Sequence, residues 1–188
     1  MGTRERLIDS AQDLLWERGY VGTSPRAILE RSGAGQGSLY HHFAGKADLA
    51  VAAVQRSAEA LQAAAEEQFS APGTAMQRIT CWLQRERDVL RGCPIGGLAQ
   101  DPDIVANPDL RHPVAQTLAW LHGRLTAVLV EGQANGEFGA DLDPADAAEA
   151  VVAVLQGGYV LARAANSVEP FHRAVRGVLA LLASQGSG

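Results

Sequence analysis

The sequence predicts an all-helical protein of about nine helices, and three observations carry that reading. Of its 188 residues, 47% are hydrophobic but only 5% aromatic. The apolar share is mostly Ala, Leu and Val, which favours packed helices over a β-sandwich. Apolar residues recur at helical spacing along the chain, with no strong strand pattern. Pro, Gly, Ser and Asp stand where the ends of those segments belong. The length allows one or two small domains with a substantial core.

Taken in order, Leu7, Ile8, Ala11, Leu14 and Leu15 form one face of a helix over about residues 4–18, with Thr3 as its expected N-cap and Gly19 ending it. Ser24-Pro25 reads as N-cap and first residue of a short helix that turns Ile28 and Leu29 inward and breaks at Ser32-Gly33-Ala34-Gly35. A third short helix carries Leu39 and Phe43 on its inner face, up to Gly45. A long helix follows over about 46–69. After a loop at Ala71-Pro72-Gly73, the spacing of Met76, Ile79, Leu83 and Leu90 predicts a helix over 74–91. Residues 92–107, with Pro94, Gly96, Gly97 and Pro102, read as irregular or broken helix. Asn107-Pro108 starts a helix to about 134, which Pro113 is expected to kink. Asp143-Pro144 opens a helix over 144–165, Ser167 opens one over 168–184, and the tail from Gln185 reads as a flexible end.

Composition narrows the function classes. No apolar run approaches the ~20 residues of a membrane span, and MGTRERLIDSAQ lacks the apolar centre of a signal peptide. Cys81 and Cys93 give no disulfide framework. The expected location is the cytoplasm, with no membrane partner. Net charge is -5, all of it beyond residue 50, because the first 50 residues balance. Any nucleic-acid binding must therefore come from local placement of charge.

The segment GQGSLYHHF concentrates polar side chains on the outer face of a short helix. Two short helices joined by a tight glycine-containing turn read as a helix-turn-helix. A DNA-reading helix needs an apolar inner face and small or polar residues on its outer N-terminal face. Leu39 and Phe43 meet the first need; Gln36, Gly37 and Ser38 meet the second. Gln pairs twice with adenine, Ser bonds several bases, and Gly37 lets backbone approach DNA. Tyr40 and a histidine reach phosphates, as do Lys46 and Thr23-Ser24 at helix N-termini, with Arg26 following.

Residues 3–49, with GY..TS, I....SG, G.LYHHF and GK..L, closely resemble the N-terminal domain of TetR-family transcriptional regulators. The resemblance implies a homodimer on palindromic double-stranded operator DNA, released by a small-molecule effector. It implies base contacts from Gln36, Gly37, Ser38 and Arg26, and phosphate contacts from Thr23, Ser24, Tyr40, His41 and Lys46. Four positions depart from the family pattern: Gly35 where Ser or Thr usually caps the recognition helix, Gln36 where a basic residue is frequent, Leu29 where a small Ala is usual and Trp16 where Phe is usual.

On this reading residues 1–49 form the helix-turn-helix domain and 50–188 the larger effector-binding and dimerisation domain. The last two helices carry Leu155, Tyr159 and Ala162, then Phe171, Val175, Val178 and Leu182, at a 3–4 spacing suited to a four-helix dimer interface; packing within one chain is the alternative. RGCPIGGLAQD and LQGGYVLARAANS are similar to the branch of lincomycin-resistance and flavonoid-responsive repressors, which implies an aromatic or largely apolar effector. Trp82, Cys93, Trp120, Gln156 and Tyr159 are the candidate pocket residues. No enzyme signature, cofactor motif or metal-ligand spacing is present: His41 and His42 point about 100° apart, and His112, His122 and His172 are scattered. The alternatives are a helical adaptor for a protein partner and a redox sensor built on Cys93.

Overall fold

The computed structural model describes residues 2–186; the last two positions of the expected flexible tail lie outside them. Among the described residues there are nine α-helices and no strand: α1 Thr3–Arg18, α2 Pro25–Ser32, α3 Gln36–His42, α4 Lys46–Phe69, α5 Ala75–Gln84, α6 Pro102–Ala106, α7 Pro108–Ala134, α8 Pro144–Ala165 and α9 Glu169–Ala183. They group into two compact units, Met1–Leu61 with Cys93–Leu118, and Gln62–Gly92 with Ala119–Gly188. The first unit runs past the expected boundary at residue 49: it takes in α4 as far as Leu61, all of α6, and α7 as far as Leu118.

In the first unit α1 buries the stripe read from the sequence, Leu7, Ile8, Ala11, Leu14 and Leu15. Ile28 of α2, Leu39 of α3 and Leu49 of α4 are buried with them. Burial of each such side chain is worth roughly 1.5–3 kcal/mol. The helix starts follow their caps. Ser24 Oγ accepts from Ala27 N–H at 3.1 Å, with Pro25 as the first helical residue. Thr3 is already helical and Gly2 is the N-cap, without a side-chain bond; the Thr3 hydroxyl accepts from Arg6 instead, at 3.4 Å. Arg31 grips Glu17 with two bonds, at 2.8 and 2.9 Å, and Arg56 of α4 reaches Glu5 and Asp9 of α1.

A carboxylate missed by the sequence reading holds the turn after α1. Asp101, buried at the N-cap of α6, accepts through Oδ2 from the backbone N–H groups of Tyr20 at 2.7 Å and Val21 at 3.0 Å. Its Oδ1 accepts from Asp103 and Ile104 N–H, at 3.1 and 3.4 Å. The approach requires glycine at position 19, where φ is 71° and a Cβ would stand 2.8 Å from Oδ2. The stretch 92–107 is therefore not simply irregular, since Asp101-Pro102 is a strong helix start.

In the second unit α8 lies on α9. Phe171 fits against Gly158, where a Cβ would come within 3.1 Å of the ring, and its ring lies tilted against that of Tyr159, 4.9 Å between centres. At the start of α5, Thr74 and Gln77 form a capping box, and Glu137 accepts from Ala75 and Met76 N–H at 2.9 and 3.1 Å. The expected helix over 74–91 stops at Gln84. Arg87 turns back to donate to the Trp82 carbonyl and, at 3.3 Å, to the Arg85 carbonyl, so a side chain replaces the next helical turn as partner of these acceptors. Of the described helices, α8 is long and apolar enough by composition to cross a membrane; seven of its residues, Ala148 to Ala162, are buried in the fold.

Arg124 takes both oxygens of Glu66 at 2.7 Å. Hydrogen bonds from Arg124 first, then Ser70, lower the Glu66 pKa from 4.5 to about 2. A lowered folded pKa means stability present above pH 4.5 and lost as the pH falls through about 2. Carboxyl-detected NMR titration should find Glu66 near 2, and Glu66→Gln should flatten the acid limb of the unfolding curve. Asp101→Ala should cost about 3 kcal/mol in urea unfolding, because buried N–H groups lose their acceptor.

Candidate nucleic-acid interface

The seven residues of α3 sit between Gly35 and Phe43, and the Gly35 N-cap makes no side-chain bond, as its identity implies. Leu39 and Phe43 are buried, so the opposite side of α3 faces out. There Gln36, Gly37, Tyr40 and His41 are exposed and Ser38 half-exposed; Tyr40 is 61% exposed. A Cβ at Gly37 would meet no other atom within 4 Å, so packing within the fold does not require glycine there. The His41 and His42 rings lie edge-on at 4.8 Å, and no cluster able to hold a metal ion occurs among the described residues.

The flanking candidates are engaged in holding α2 and α3. Thr23 is buried and donates its hydroxyl to the Gly19 carbonyl at 2.7 Å. Ser24 caps α2. Arg26 is exposed and paired with Glu30 one helical turn on, at 2.7 Å. Lys46, read from the sequence as a phosphate contact, donates to the Tyr20 carbonyl at 2.7 Å and lies 3.8 Å from the centre of the Tyr20 ring. Burial lowers its pKa, opposed by the charges of Asp103 and Asp101. Tyr20 is thus held through its N–H by Asp101 and through its carbonyl by Lys46.

The other sequence candidates separate. The side chains of Leu155, Tyr159, Ala162, Phe171, Val175, Val178 and Leu182 are all buried within the chain, where they pack α8 and α9. The apolar surface left open on those helices is Val160, Leu161 and Leu181, beside exposed Gly157 and Gly177. Of the pocket candidates, Trp82 and Tyr159 meet at Arg87, whose Nη1 donates to the Tyr159 hydroxyl at 3.3 Å. Trp120 and Gln156 are half-buried on α7 and α8. Cys93 is buried in the first unit, its sulfur accepting from Gly96 N–H at 3.2 Å.

A short helix with a polar outer face, set on a three-helix support, defines a helix-turn-helix DNA-binding protein. Residues 7–53 match the bacterial regulatory proteins of the tetR family, and residues 74–178 match the tetracyclin repressor-like C-terminal domain. The chain belongs to the TetR family of transcriptional regulators. It is 30% identical to an uncharacterised HTH-type transcriptional regulator of Mycobacterium tuberculosis, over 95% of this chain and 94% of the relative. It is 28% identical to the HTH-type transcriptional regulator LmrA of Bacillus subtilis, over 89% and 90%. The crystal structure of a regulatory protein TetR from Rhodobacter sphaeroides superimposes with a TM-score of 0.85 at 27% identity, covering 94% of this chain and 96% of that one. Fold and relatives point to a DNA-binding regulator rather than an enzyme.

Lys46→Met should speed amide exchange across the turn from Tyr20 to Thr23 in the DNA-free protein. A lysine whose ammonium serves phosphates alone would leave that exchange unchanged.

Proposed function

We propose that the protein is a homodimeric, effector-responsive repressor of the cytoplasm that reads a two-fold symmetric operator. Residues 1–49 read the DNA, and residues 50–188 bind the effector and the second copy. The observation that carries this is the outward face of α3, where Gln36, Gly37, Ser38, Tyr40 and His41 surround a buried Leu39. Gln36 and Ser38 supply base contacts in the major groove, with Arg26 beside them. Tyr40 and His41 supply phosphate contacts, joined by the exposed Ser24; Thr23 and Lys46 serve by holding the turn. Two such helices about 34–36 Å apart fit successive major grooves. A chain with net charge -5 attracts DNA weakly at long range, so specific contacts must supply much of the affinity.

The second copy joins through the open faces of α8 and α9. Gly157 and Gly177 allow close approach, and Val160, Leu161 and Leu181 supply apolar area. The effector is a small, largely apolar or aromatic molecule. Support comes from the rings of Phe69, Trp82, Tyr159 and Phe171. The Trp82 indole N–H is buried with no acceptor among the described residues, a polar group that a ligand could satisfy. Effector and operator weaken each other's binding by the same factor, because both bias one two-state dimer.

Footprinting at controlled salt on DNA upstream of the protein's own and adjacent genes, followed by selection of bound genomic fragments, tests the reading. A symmetric protected site is expected, and its absence from both overturns it. On that site Gln36→Ala should relax base preference, costing about 1–3 kcal/mol on the preferred base only. Tyr40→Phe should weaken all sequences alike, by about 1 kcal/mol. Leu161→Glu should turn the dimer into monomers in analytical ultracentrifugation without unfolding it. Val175→Ala should lower stability by about 1–2 kcal/mol and leave the assembly state unchanged.

A further inference from the structure

An open cleft of about 420 Å³ lies where the chain leaves α5 and passes α9. Leu83, Val89, Phe171 and Val175, all buried side chains, form its floor. Its rim carries three arginines, Arg85, Arg87 and Arg176, against one carboxylate, Glu86. Size, apolar floor and a few charged groups are the usual make-up of a small-molecule site.

Arg87 is the centre of this cleft. It is half-buried, with its guanidinium carbon 5.5 Å from the centre of the Phe171 ring and 5.9 Å from that of Trp82. It donates to the Tyr159 hydroxyl, the Trp82 carbonyl and the Arg85 carbonyl. Among the described residues every acceptor of Arg87 is therefore a neutral oxygen. Arg176, by contrast, already shares Glu169 at 3.0 Å. A partly desolvated cation without a counter-charge favours an anion. A guanidinium has five N–H groups. The three bonds leave one on each terminal nitrogen of Arg87, which is what a forked contact with a carboxylate uses. Held by three acceptors and two rings, the fork needs little ordering on binding.

We infer that this cleft binds a small amphipathic carboxylate, its charged end on Arg87 and its aromatic or acyl body on the Phe171 and Val175 floor. Its place as the effector position rests on the regulator reading above; its ligand chemistry does not.

Calorimetry on the full chain without DNA tests it, with benzoate, 2-naphthoate and octanoate each set against its own primary amide. At least one acid should bind about tenfold or more tightly than its amide. Arg87→Gln should bring that acid down to its amide, leaving amide binding as a check that the cleft is intact. Arg87→Lys, which keeps charge and loses the fork, should retain part of the preference. In the unmutated protein, the Arg87 Nε–H NMR signal should move with the acid and not with the amide, a readout that needs no variant. Three equal acid–amide pairs, or a preference that survives Arg87→Gln, would overturn the site. An acid that binds here yet leaves operator affinity unchanged would overturn its effector role alone. Failure to bind any DNA would overturn the regulator reading and leave the calorimetric result standing.

Discussion

The reading helix of this protein is too short to support itself. Seven residues make barely two turns, and isolated helices below ~12–15 residues are marginal in water. A glycine at the N-cap removes the side-chain bond that would help α3 start. Its existence and its direction are therefore set by what lies beneath and before it. Beneath are Leu39 and Phe43, buried in the core that α1 organises. Before it is the turn at Tyr20 and Val21, from which α2 and then α3 depart. That turn is held from two sides, by the Asp101 carboxylate on its N–H groups and by the Lys46 ammonium on its carbonyl. A polar outer face becomes useful only because these contacts fix where it points.

The same constraint governs the polar side chains around α3. Residues that a linear reading assigns to DNA are partly occupied in building the platform. Thr23 closes a turn onto Gly19, and Ser24 starts α2. A hydroxyl that already donates within the protein keeps acceptor capacity, yet its first effect is to position backbone. Affinity for DNA in such a head is divided between groups that touch the duplex and groups that fix those that do.

Arginines play a comparable part in the second unit. Arg78 is buried and donates to the Phe69 carbonyl while lying 2.9 Å from Glu131, and Arg124 is locked onto Glu66. Arg87 ends α5 by turning back on it. Two of these three have a carboxylate partner, and the third faces an apolar cleft. Charge that the fold leaves uncompensated in a partly desolvated place is a more specific pointer to a ligand than the aromatic rings around it, which pack equally well with no ligand at all.

Much was legible in the residues alone. The described helices other than α6, the inward stripe of α1, the Ser24-Pro25 start and the weak cap at Gly35 all follow from spacing and cap chemistry, which are local and act within a few residues. The outer face of α3 was legible for the same reason. Contacts that depend on partners far along the chain were not. The Leu155–Leu182 stripe suited either an interface or packing within one chain, because a helical stripe does not say which surface it meets, and its side chains are buried within the chain. Leu90 continued the helical pattern of α5, yet Arg87 found nearer acceptors and the helix ended at Gln84. Asp101 carried a helix-start signal, but nothing in its neighbours announced that its second oxygen would hold a turn 80 residues away. Local propensity and periodicity determined which segments are helical and which face of each is apolar; only tertiary packing decided the partner of each face and each charge, because those energies arise between residues that the chain brings together only on folding.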